Sequence, residues 1–181
     1  IVVVTGADNS VTSINGGTIV AENIKNIEAW GNNNNNASTL TLGGTTLQGA
    51  DGKTLTAASG TKITAADGGI IAEKKVDLSG STLTLTNDNK LIASAGSEVT
   101  LGSTVSNILV LPGAKVTGPT SVPIADGKIE VSTNAELAAA LKANGVTEIT
   151  ATSSSSLQLT ENSVIKANVT LQVAGLTIPD S

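Results

Sequence analysis

Polar and apolar residues alternate along much of the chain in short runs. Thr82-Leu83-Thr84-Leu85-Thr86 has the period of two that turns one side of a strand inward and the other outward. From Thr54 the chain divides into units: TLTAASG, TKITAADG, GIIAEKK, VDLSGS, TLTLTND, NKLIASAG, SEVTLGST, VSNILVLPG and AKVTGPT. Each has an apolar centre, in order Leu55, Ile63, Ile70, Leu78, Leu83, Leu91, Val99, Leu109 and Val116, and most end in Gly, Ser or Asn-Asp. The repeat is too regular for a loop and too short for helical repeats. It predicts strand, turn, strand, turn.

Two all-β architectures use such a pattern: an antiparallel sandwich of short hairpins, and a parallel β-solenoid whose coils stack on one another. The solenoid fits better. The units are shorter than the ~8–12 residue spacing of sandwich strands. Few two-residue hairpin signals separate long strands, and the apolar residues are aliphatic, suited to narrow stacked layers. Three units make a coil of roughly 22 residues, and coils stack at about 4.8 Å, so about eight coils would form a rod of roughly 40 Å. Leu83, Leu85, Val99, Leu101 and Leu109 are expected to point inward.

The first part, residues 1–36, follows the repeat less closely. Ile1 to Thr5 and Thr18 to Ala21 predict strands, and Ile24 and Ile27 suit a third. Gly31 and the run Asn32 to Asn36 predict a projecting loop, with an Asn ladder in stacked turns as the alternative. Residues 37–123 are the solenoid repeats. Residues 124–181 begin near Pro123-Ile124-Ala125-Asp126-Gly127 and hold the one clear helix. Thr133-Asn134-Ala135-Glu136 is a capping box, an Ala/Leu-rich run extends to Ala143, and Asn144-Gly145 supplies the stop. Leu137 and Leu141 give this helix a narrow apolar stripe. Strands are expected at Glu148 to Ala151, Ser156 to Leu159, Ser163 to Ile165 and Val169 to Val173, with Leu176 to Ile178 as a further one.

Residues 128–178 carry a resemblance. The strand Lys128-Ile129-Glu130-Val131, then Ser-Thr-x-x-Glu-Leu-x-x-Ala-Leu, then Gly, then strands ending in Asn168-Val169-Thr170-Leu171, resemble the opening of a right-handed parallel β-helix of the pectin-lyase-like superfamily. That resemblance implies a helix capping one end of a solenoid, and relatives that include polysaccharide lyases and glycoside hydrolases. Such enzymes use Arg, Lys or His beside clustered Asp, and this chain has no Arg and no His. The helix begins at residue 134, after the upstream repeats, and so would cap the start of a new unit or plug the end of the first. The upstream repeats resemble surface-adhesin and autotransporter solenoids in composition alone.

Composition narrows the chemistry. Among 181 residues there is no Cys, His, Met, Phe, Tyr or Arg, and Trp30 is the one aromatic residue. Disulfides, Cys or His metal sites, nucleophile–His dyads and Arg forks for phosphate are excluded. A net charge of −5 with almost no rings argues against nucleic acid. No apolar run approaches the ~18 residues of a membrane-spanning helix, so no membrane insertion is expected. Low charge (14%) with abundant Thr, Ser, Asn and Gly is common in secreted and surface-displayed bacterial proteins. A start at Ile1 without Met suggests a processed form or a chosen boundary.

The remaining candidates are few. Asp51, Asp67, Asp77, Asp88 and Glu98 are scattered singly. Coil stacking could bring Asp67 beside Asp88, although turns select Asp regardless of function. Gly49-Ala50-Asp51-Gly52 and Asn87-Asp88-Asn89 are oxygen-rich but lack the spacing of calcium loops, and read as turns. No catalytic residue, cofactor or metal is therefore expected. Trp30, beside the Asn run, is the candidate glycan contact, with packing under the loop as its alternative. The Thr pairs at Thr39 and Thr41 and at Thr82, Thr84 and Thr86 raise ice binding, which the variable unit length argues against. Ile1, Val2, Val3 and Val4 form a bare strand that could pair within its own domain or with a neighbouring subunit. The expectation is an extracellular structural or adhesive module, such as an adhesin, surface-layer or filament subunit, that self-associates and meets cell-surface glycans. A glycan-binding module, or a non-catalytic fragment of a polysaccharide-active protein, is the alternative.

Overall fold

The structure is a computed structural model that describes residues 1–5, 11–28, 39–85, 90–105, 107–118, 126–151, 157–159, 163–166, 168–173 and 176. The chain winds into stacked coils. The first holds β1 (Val2–Thr5), β2 (Val11–Asn15) and β3 (Thr18–Ala21). The second holds β4 (Asn23–Glu28), β5 (Thr39–Gly43) and β6 (Thr45–Gly49). The third holds β7 (Leu55–Ala57), β8 (Lys62–Ala65) and β9 (Ile70–Glu73). The fourth holds β10 (Lys75–Asp77), β11 (Thr82–Leu85) and β12 (Leu91–Ala93). β13 (Glu98–Thr100), β14 (Ile108–Val110) and β15 (Lys115–Thr117) follow.

Every pairing is parallel, between strands one coil apart, so the coils build three sheets. The first runs β1-β4-β7-β10-β13-β15, the second β2-β5-β8-β11, and the third β3-β6-β9-β12-β14. This is the expected parallel solenoid. The first 28 residues, which followed the repeat less closely, contribute strands to the same three sheets.

Turns set the corners. Lys53, Thr61, Gly69, Ser97 and Ala114 each donate a backbone N–H to the carbonyl three residues earlier. Each of these turns has Gly in its third position. Gly60 and Gly96, at φ of 81° and 77°, adopt the left-handed backbone a type II turn requires there. Strand residues alternate in and out between the corners, as in β8, where Ile63 and Ala65 are buried while Lys62 and Thr64 are half-exposed.

The inward residues stack in ladders. Leu40, Ile63 and Leu83 align across the second sheet, and Leu55, Val76, Val99 and Val116 across the first. Aliphatic residues dominate this core, with Thr45, Thr61, Ser94 and Ser97 buried among or beside them. Without rings, close layers pack to interior density through branched side chains.

The second sheet ends at β11 while the other two continue, and the last coil is correspondingly shorter: Val76 pairs with Val99, but Val99 already pairs with Val116. Leu83 and Leu85 point inward as expected, yet they are only half-buried because β11 has no strand beyond it among the described residues. Val99 and Leu101 are buried.

Leu109 corrects the expected register. Ile108 and Val110 pack with the solenoid core, and Leu109 faces outward. The reason lies on the third sheet. Its outward row reads Thr18, Thr46, Ile71, Ile92 and Leu109, polar in the first coils and apolar in the later ones. The apolar part is covered by a second unit made of β16 (Lys128–Val131), α1 (Asn134–Lys142), β17 (Glu148–Ala151) and β18 (Thr170–Gln172). Its three strands form a further parallel sheet in the order β16-β17-β18. Ile71, Ile92 and Leu111 join one apolar cluster with Ile129, Leu137, Leu141 and Ile149.

Helix α1 joins β16 to β17 and lies on the flank of the first solenoid. Its capping box forms as expected: the Thr133 hydroxyl accepts from the Glu136 N–H, and the Glu136 carboxylate accepts from the Thr133 N–H. Lys166 Nζ donates to the last-turn carbonyls of Lys142 and Ala143 at 2.7 and 3.2 Å, which suits a cation at a helix C-terminus. The strand expected at Ser163 to Ile165 does not form, and this segment instead delivers Lys166 to the helix end. In the stretch from Ser156, Gln158 makes a single bridge, and β18 is shorter than the Val169 to Val173 expected.

Candidate functional site

The four acidic candidates among the described residues each have a partner. Asp67 Oδ1 accepts from the Thr133 hydroxyl at 2.8 Å, tying the third-coil corner to the start of α1. Asp77 accepts from the Ser79 N–H at 2.9 Å and closes a turn on itself. Glu98 sits 3.7 Å from Lys75 on the outer row of the first sheet. Asp51 pairs with Lys74 at 2.9 Å; that hydrogen bond, and then the ammonium charge, hold its carboxyl below the ordinary 3.8. Asp88, and with it the Asp67–Asp88 pairing and the Asn87-Asp88-Asn89 turn, lies outside the described residues, as do Trp30 and the Asn run. Among the described residues no group of three or more acidic side chains is placed to hold a metal ion, and no helix is long and apolar enough to cross a membrane.

The N-terminal strand pairs within its own chain: β1 lies beside β4, with Val2 opposite Lys25 and Thr5 opposite Glu28. Its other edge carries no strand among the described residues. The same holds for β2 and β3, so among the described residues the strands of the first coil form an open end. Four of the large exposed aliphatic side chains sit on this coil: Ile1 (53%), Val2 (58%), Val11 (62%) and Val20 (51%). The side chains of Val3 and Val4 lie outside the described set.

The second sheet presents a different surface. Ser13, Thr41, Thr64 and Thr84 stand in register on four successive strands and point outward. The varying unit lengths are absorbed in the turns, so the ladder stays regular at the ~4.8 Å strand spacing. The neighbouring outward row is less uniform. Val11 pairs with Thr39 at one end and Lys62 with Thr82 at the other, so Val11 and Lys62 interrupt its hydroxyls. Pairwise alternation shows the Thr residues; only the coil register, which depends on every turn length, aligns them.

Beyond this ladder the corner residues open into a groove of about 360 Å³. Its floor is Gly16, Gly43 and Gly44, and one wall is Ala135 and Ala138 of α1. Asn15, Asp67 and Lys142 bring polar groups to its edge. A side chain at Gly43 would collide with the Asp67 carbonyl at 2.9 Å and the Asn15 side-chain oxygen at 3.0 Å, so position 43 has to be glycine, while nothing lies within 4 Å of the space a side chain would take at Gly16.

No family model, no curated protein and no solved structure matches the chain.

Proposed function

We propose that the protein is a non-catalytic structural and adhesive module of an extracellular or surface-displayed assembly. The observation that carries this reading is the open first coil, with three strand edges unpaired among the described residues and exposed Ile1, Val2, Val11 and Val20 at one end of a parallel stack. Unpaired edges are templates for strand addition. The first sheet ends in β1 on one side and β15 on the other. A second copy adding its β1 beside β15 would continue the parallel stack, and such a head-to-tail contact propagates into a filament unless it closes into a ring. Ile1 and Val2 are already about half covered, so burying the rest would contribute about half of the ~1.5–3 kcal/mol of a full burial each. Low charge and a Thr/Ser/Asn-rich surface support the extracellular placement, and the negative net charge suits partners other than nucleic acid. Residues 128–178 are proposed to open a second β-helix of the pectin-lyase-like kind, a reading supported by the parallel β16-β17-β18 sheet with α1 in its first crossover.

The test is assembly. The full chain should form particles larger than a monomer by light scattering and electron microscopy, and deletion of residues 1–5 should reduce them. A chain that stays monomeric at high concentration, or a deletion that assembles unchanged, would remove this reading.

A further inference from the structure

We infer that the Gly-floored groove between the second-sheet corners and α1 binds a linear, uncharged oligosaccharide. The site is distinct from Trp30 and independent of end-to-end assembly.

The groove is assembled from three successive coils. Asn15-Gly16, Gly43-Gly44 and Ala66-Asp67 form rungs about 4.8 Å apart. Its volume, about 360 Å³, lies within the range of small-molecule sites. Nothing lies within 4 Å of where a side chain at Gly16 would stand, and only the Ala135 carbonyl at 4.0 Å at Gly44, so a ligand can approach the backbone closely there, while Asp67, Asn15 and Ala66 fill the space over Gly43. The polar groups around it differ in kind. Asn15 both donates and accepts. Asp67 has one oxygen engaged by Thr133 and a second that can accept. Lys142 donates, and its ammonium has no ion-pair partner among the described residues.

A ligand matched to that set carries donors and acceptors together at a short repeat, which is the chemistry of a polyol chain. One carboxylate and one ammonium offset each other, so a charged ligand gains little, and the net charge of −5 disfavours polyanions. A peptide adding as a strand would need a free edge for main-chain pairing, and this surface is a sheet face and corner, with no aromatic-lined or broad apolar groove to seat a helix or a polyproline segment. The Ser13, Thr41, Thr64 and Thr84 ladder continues the surface away from the groove and offers further hydroxyls to a longer chain. With alanine in place of an aromatic platform in the wall, stacking contributes nothing and affinity is expected to be weak.

The experiment titrates the ¹⁵N-labelled protein with cellohexaose, xylohexaose and mannohexaose, and with polygalacturonate as the charged comparison. At least one neutral sugar should shift the Gly16, Gly43 and Gly44 amides. Ala138→Phe, which fills the groove, should weaken binding about tenfold, equivalent to about 1.4 kcal/mol, with an unchanged melting temperature. Lys142→Ala and Asn15→Ala, both at exposed positions, should weaken it as well, and they carry the test if Ala138→Phe does not fold. The inference is overturned if no neutral sugar moves these amides, if the variants bind as the parent does, if the shifts centre on Trp30, or if polygalacturonate is preferred.

Discussion

Leu91 and Ile92 are neighbours in β12 that point in opposite directions, and their replacement should separate the two halves of the molecule. Leu91 is fully buried in the solenoid core between Ile70 and Ile108. Ile92, 4% exposed, lies between Ile71 and Leu109 beneath the second unit. Truncation of either to Ala removes a buried aliphatic side chain and should cost about 2–5 kcal/mol. The cost falls in different places. Leu91→Ala weakens the coil stack that everything else rests on. Ile92→Asp sets a carboxylate into an apolar cluster where Lys90, two residues away, is the cation lining the same recess, a penalty of several kcal/mol for the desolvated charge. Burial of Ile71, Ile92 and Leu111 contributes about 1.5–3 kcal/mol each, so the charge offsets most of what holds the second unit down. The low-cost response is to open that interface and leave the solenoid intact. Hydrogen exchange by mass spectrometry reads this directly. In Ile92→Asp, protection should fall in β16, α1 and β17 and persist in β5, β8 and β7; in Leu91→Ala it should fall first in the solenoid. Equal loss across both units in Ile92→Asp, or no loss in either, would refute the division of inward and outward roles in β12.

Three further outcomes are expected. Thr133→Ala removes both the N-cap of α1 and the hydroxyl bound to Asp67, and should lower unfolding free energy in urea by about 1–2 kcal/mol; Thr133→Ser should restore most of it. Ser97→Ala should be neutral or stabilising by up to about 1 kcal/mol, because the buried Ser97 hydroxyl has no hydrogen-bond partner among the described residues; a clear drop in melting temperature would count against this. Asp51 should titrate by NMR below its ordinary 3.8, and Lys74→Ala should return it there. A lowered folded pKa means that the pair's contribution is present above the unfolded carboxylate pKa and is lost as pH falls through the folded value. With Asp51 fully exposed, the melting temperature at neutral pH should not move between the two proteins.

The strands of the repeat, the turns and the helix were legible because each has a local cause. Alternation in Thr82 to Leu85, Gly in the third turn position, and the Thr133/Glu136 box all act within a few residues. The second unit's position was not, although a signal existed. Ile70-Ile71-Ala72, Leu91-Ile92-Ala93 and Ile108-Leu109-Val110 break alternation with consecutive apolar residues, the mark of strands buried on both faces. In such a run nothing local says which residue points inward, and for that reason Leu109 was assigned to the wrong face. Asp67 shows the other limit: its partner Thr133 lies 66 residues away and is brought near by docking. The groove was invisible for the same cause, since its floor and wall come from separate units.

The three outward faces divide what the inward ladders leave free. The first sheet carries Lys75, Glu98 and Lys115 in one register row, alternating in sign so that no like charges are adjacent. These groups are exposed, and they matter more for solubility and register than for stability. The third sheet turns apolar where the second unit docks, and the second keeps its hydroxyls. In a stack where each coil contacts its neighbours, an outward residue can change without disturbing the core, because inward and outward positions alternate and the backbone pairing is indifferent to both. The same logic locates where the stack is exposed to partners. Inward ladders are satisfied along the length and broken at the ends, so the open first coil is where apolar surface and unpaired backbone coincide. Lateral faces, with their backbone already paired, recognise through side chains and bare corners. An end therefore suits another copy of the stack, and the corner groove suits a ligand that brings its own hydroxyls.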